Sequence, residues 1–139
     1  MDESKYGYSS CCDPQNTIVI ALGKESTILQ TDQWIVDGKN DGLMNITLLY
    51  AHEARHNEGF PHNCLARPGD DNTLDEMGAW SVEYYLALWI AQYSNRNFLQ
   101  APGNNPNSYR QAALDIAQVT RLTRFCRDIF TGPLPTLMP

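Results

Sequence analysis

The chain has 139 residues, 42% hydrophobic and 19% charged, which suits one folded domain and excludes a disordered segment. Its net charge of −6 disfavours nucleic acid as a partner, because phosphate contacts need clustered Lys and Arg; single cations such as Lys24 and Arg67 read as solvated surface. No apolar run reaches the roughly 18 residues needed to cross a membrane.

Residues 1–16 are polar and turn-rich and are expected to form an irregular arm. TIVIAL (17–22) is β-branched, apolar and bounded by Asn16 and Gly23, the pattern of a strand. STILQ (26–30) follows after a hairpin-like connection, and QWIV (33–36) is a further candidate strand. DGKNDG (37–42) is a loop. From Leu43 to Glu58 there is no Pro or Gly, and Met44, Leu48, Ala51 and Arg55 fall near one stripe, with Leu49, His52 and His56 beside it. That spacing predicts a helix that Asp41 or Asn45 could cap and Gly59 could end.

A loop with two prolines (60–72) leads to TLDEMGAWSVEYYLALWIAQYSN. Thr73 and Glu76 form a capping-box pattern, and the helix that follows is apolar nearly all round, so it should be central and buried. A second breaker, APGNNPN (101–107), precedes a last helix with Ser108 and Gln111 at its start. Ala112, Ile116, Val119, Cys126 and Phe130 recur at helical spacing on it, with Arg121, Arg124 and Asp128 on the solvated side. Residues 131–139 form an extended tail. The expected class is α+β: a small N-terminal sheet or hairpin packed on the first helix, then two C-terminal helices, with 1–139 as one domain.

The four cysteines are Cys11, Cys12, Cys64 and Cys126, an even count that leans towards disulfides and an oxidising compartment. Adjacent Cys11 and Cys12 are poorly placed to bridge each other, so one of them is expected to pair with Cys64 or Cys126. The opening stretch, MDESKYGYSS, lacks the regions of a signal peptide, so the chain is either cytosolic or a mature piece without its leader. The cysteines favour a secreted or extracytoplasmic protein. Its oligomeric state is open.

All three histidines lie within HEARHNEGFPH, residues 52–62. His52 and His56 are four apart on a predicted helix, so both imidazoles leave one face a turn apart and can share a zinc ion. Glu53 is one residue round, placed to reach a water on that ion rather than to ligate it. Gly59 supplies a sharp turn that brings His62 back to the same ion. Three imidazoles and an open position make a catalytic pattern, not a closed structural one.

The stretch is similar to the extended zinc signature of the metzincin metallopeptidases, H-E-x-x-H-x-x-G-x-x-H, at all five fixed positions. The resemblance implies a zincin-like fold, with zinc held by His52, His56 and His62. It implies hydrolysis of peptide or protein substrates, with Glu53 as general base and later general acid. Metzincins also carry a methionine in a tight turn beneath the zinc, for which Met77 is the nearest candidate. Astacin-like members have Glu directly after the third His, where this chain has Asn63. Gluzincins take their third ligand from a glutamate on a following helix, a part open to Glu76 or Glu83. Asp75 and Glu76 could instead orient a ligand imidazole, or simply favour a helix N-terminus. Cys64 could be a fourth ligand or a disulfide partner. A zinc-binding protein without catalysis is the rival from another class.

Overall fold

The computed structural model describes residues 7–10, 19–22, 42–94 and 108–139. The elements are β1 (Gly7–Ser10), β2 (Val19–Leu22), α1 (Gly42–Asn57), α2 (Ala79–Tyr93) and α3 (Ser108–Thr123), with a single 3-10 turn at Leu74–Glu76.

The described residues form a helical fold, and the α+β, zincin-like expectation is corrected. β2 lies within the predicted strand 17–22, but it pairs antiparallel with β1, in the stretch expected to be an irregular arm. Among the described residues the two four-residue strands make only a ribbon, which touches α1 at β1, and the core is helical. The strands expected at 26–30 and 33–36 lie outside the described residues.

α1 runs as its composition dictates. Met44 and Leu48 are buried on one i, i+4 row, and the next two members of that row are His52 and His56. The row that is apolar in its first half therefore delivers two imidazoles in its second. Gly59 ends the helix with φ +92°, and its N–H donates to the His56 carbonyl.

α2 lies between α1 and α3, packing on both. Ala87 and Ala91 of α2 share a buried cluster with Ala113 and Ala117 of α3, all fully enclosed. Small side chains at such a contact let helix backbones approach closely. Tyr84, Ile90 and Leu114 fill the rest. Two expectations fail here. α2 begins at Ala79, not Thr73, because the chain first makes the 3-10 turn and Met77 adopts a left-handed φ of 53°. The inward face of α3 is Arg110, Ala113, Leu114, Ala117 and Thr120, while Val119 is 59% exposed and the helix ends at Thr123.

The tail 131–139 is extended and pinned. Gln118 donates to the Pro135 carbonyl, and the Gln92 amide both donates to the Thr136 carbonyl and accepts from the Met138 N–H. Buried Arg110 donates to the carbonyls of Ala91, at the end of α2, and Met138. Cys64 bonds to Cys126, not to Cys11 or Cys12 as expected. The pairing follows from a parallel bridge that lays Asp71 beside Phe125 and so draws the 60–72 loop onto the segment after α3. Among the described residues no helix is long and apolar enough to cross a membrane.

Candidate metal centre

α1 and the loop after it bring His52, His56 and His62 together. One potential ligand atom from each lies within 4.8 Å of the others. His52 Nε2 and His62 Nε2 are 3.3 Å apart. Two nitrogens bound tetrahedrally to one zinc sit about 3.3 Å apart, given Zn–N bonds of 2.0–2.1 Å.

The opposite nitrogen of every ring is occupied. His52 Nδ1 faces Glu83 Oε2 at 3.0 Å, His56 Nδ1 faces the Phe60 carbonyl at 2.7 Å, and His62 Nδ1 faces Asp71 Oδ1 at 2.8 Å. Each partner accepts, so each Nδ1 donates, and in the neutral imidazole Nε2 is the nitrogen left to bind a metal. The Nε2 atoms of His52 and His62 therefore face each other at a distance that suits a shared metal ion. Orienting a ligand imidazole through its second nitrogen is how metal sites fix tautomer and raise basicity. The donor set fits a borderline-soft divalent ion such as zinc.

His56 is held below the usual histidine pKa range, chiefly by burial. The Phe60 carbonyl raises it, neighbouring His52 and His62 lower it further, and the Glu53 carboxylate raises it. Glu53 is itself buried, 6% exposed, and close enough to His56 to act on its charge.

Asp71 has two duties. One oxygen accepts from His62 Nδ1; the other, Oδ2, accepts from the Trp80 backbone N–H in the first turn of α2. It thus caps the helix from a distance, where Gly78 has no side chain to do so. A Cβ on Gly78 would lie 2.9 Å from the Asp71 carboxylate carbon and closer still to Oδ2. The Trp80 ring then packs edge-on against His52 at 4.2 Å, and His62 stacks along it at 5.7 Å.

Glu83 touches His52 on its Nδ1 edge, away from the shared nitrogens, so it orients a ligand rather than serving as one. Glu76 accepts from Asn63 Nδ2, and Asn63 Oδ1 accepts from the Asn72 N–H, so this pair shapes the loop. Asp75 is exposed. Met77 does sit in a turn, but its side chain is 40% exposed. Its carbonyl accepts from Arg55 Nε, and Arg55 pairs with Glu58, so Arg55 braces the approach to α2. Cys64 is withdrawn from metal binding by its disulfide. Asp71 and the Phe60 carbonyl carry no signal in the sequence: neither is a fixed position of the motif, and both reach the site through space.

Comparison with protein-family models, with curated proteins and with solved structures finds no match.

Proposed function

We propose that the chain is a zinc-dependent hydrolase of peptide bonds, with His52, His56 and His62 as ligands and Glu53 as general base. The observation that carries this is the close approach of His52 Nε2 and His62 Nε2, with an acceptor behind each ring. When bound, zinc would polarise a carbonyl and lower the pKa of a water to about 7. Glu53, buried beside the ligands, takes a proton from the attacking water and returns it to the leaving amine. Glu83, Asp71 and the Phe60 carbonyl keep the three rings in one tautomer throughout. Trp80 packs against His52, which is buried, and stacks along His62. The Cys64–Cys126 bond fits an oxidising, extracytoplasmic compartment.

The test pairs metal content with turnover. Zinc should bind at about one ion per chain, and cleavage of casein or a quenched peptide should fall about 10²–10⁴-fold in Glu53→Gln with zinc retained. Zinc bound without turnover in either form would leave a non-catalytic zinc protein. Absence of zinc binding would overturn the assignment.

A further inference from the structure

A cleft of about 380 Å³ opens between α2 and α3. Two of its walls belong also to the metal centre. Trp80 packs on His52, and Glu83 holds His52 Nδ1. Across from them, α3 contributes Asp115, Ile116 and Val119. The lining therefore has a wide apolar part, from Trp80, Ile116 and Val119, and carboxylates on both facing helices.

The charge in this cleft is not balanced. Arg124 is the cation of the lining, but its guanidinium lies 3.3 Å from Asp70 Oδ1 and 4.2 Å from the Trp80 ring, so it already serves two partners. Arg121, on the same helix, is paired with Asp128. Glu83 gives one acceptor site to His52, and a carboxylate has about four. Asp115 meets the neutral amide of Gln111. Among the described residues, two carboxylates thus face a mostly apolar cleft with no Lys or Arg of their own.

We propose that this cleft takes a substrate side chain of lysine or arginine type, an alkyl stem ending in a cation. The stem lies on Trp80, Ile116 and Val119, as long cationic side chains do when they cover apolar surface, and the head meets Asp115 and Glu83. A basic residue seated here lies behind a metal ligand, on the Nδ1 side of His52. The proposal rests on the hydrolase assignment for the word substrate, while binding itself is tested separately.

The experiment titrates N-acetyl-lysine methylamide against its uncharged counterpart, N-acetyl-norleucine methylamide, into the zinc-loaded chain, followed by two-dimensional NMR. The lysine probe should bind about fivefold tighter and shift the Trp80 indole and the Ile116 and Val119 methyls. Asp115→Asn, on an exposed position of α3, should erase most of that preference. Equal binding of the two probes, or shifts that avoid Trp80, would overturn the proposal. A parallel set of peptides with Lys, Arg, norleucine or Glu at each position separates the two assignments. Lysine-probe binding without cleavage of any peptide sinks the hydrolase and leaves the cation cleft. Cleavage indifferent to basic residues, with probes binding alike, sinks the cleft and leaves the hydrolase.

Discussion

Single residues around the metal centre differ in what can replace them, and the difference is set by hydrogen-bond direction. Both partners of Asp71, His62 Nδ1–H and the Trp80 N–H, are donors. An Asn there can accept from one but must turn its NH₂ towards the other. Asp71→Asn should therefore weaken zinc binding about 10–100-fold and also cost about 1 kcal/mol of stability through the lost helix cap. Glu83 meets one donor, the His52 N–H, and a Gln carbonyl can satisfy it. Glu83→Gln should lose less zinc affinity than Asp71→Asn; competition with a chromophoric chelator, alongside thermal melting, measures both. His56 gives a pH dependence in the chelated protein. Its folded pKa lies below the usual 6.5, so below that pH the unfolded chain takes up a proton that the folded chain resists. The stabilising contribution is present above pH 6.5 and is lost as pH falls through the folded value. The melting temperature of the metal-free protein should fall below pH 6.5, and His56→Gln should flatten that part of the curve.

At the scale of elements, the junction before α2 depends on a glycine for space and the end of α1 on a glycine for conformation. Gly78→Ala would press a methyl into the Asp71 carboxylate, so it should cost about 1–3 kcal/mol and weaken zinc binding together. A Cβ at Gly59 would meet nothing within 4 Å, but φ there is +92°, so Gly59→Ala should cost about 1 kcal/mol from backbone strain alone. Denaturant melts and zinc titration of the two variants tell space from conformation. The same two places show what a sequence can reveal. The row from Met44 to His56 is readable because α-helical periodicity is local, and Gly59 because a sharp return needs a positive φ. Asp71 is not, since its partners lie 9 residues away on a loop and a helix start that only folding brings together. The β-branched segment 17–22 does hold a strand, but it does not settle the fold class. Local propensity finds β2, but among the described residues its one partner is the four-residue β1, and three helices make up the described core.

Across the whole molecule, the loop that carries His62 and Asp71 is fixed at its far side by the segment after α3. The Asp71 N–H donates to the Arg124 carbonyl, the Cys126 N–H donates back to the Asp71 carbonyl, and Arg127 N–H reaches the Asn72 carbonyl. The Cys64–Cys126 bond closes the same contact covalently across a sequence separation of 62, which in the chain-entropy picture is worth about 4 kcal/mol. His52 and His56 stand on α1, outside that cross-linked loop, whereas His62 is two residues from Cys64 and its Asp71 partner is inside it. Reduction should therefore act unevenly on the metal centre. The Cys64→Ser/Cys126→Ser variant should melt at a lower temperature and bind zinc more weakly, with the loss in affinity centred on His62. His62→Ala should then remove much less affinity from the double-Ser variant than from the intact protein. A double-mutant cycle on zinc affinity measures this coupling directly, and strict additivity would mean that the disulfide stabilises the fold without holding the third ligand in place.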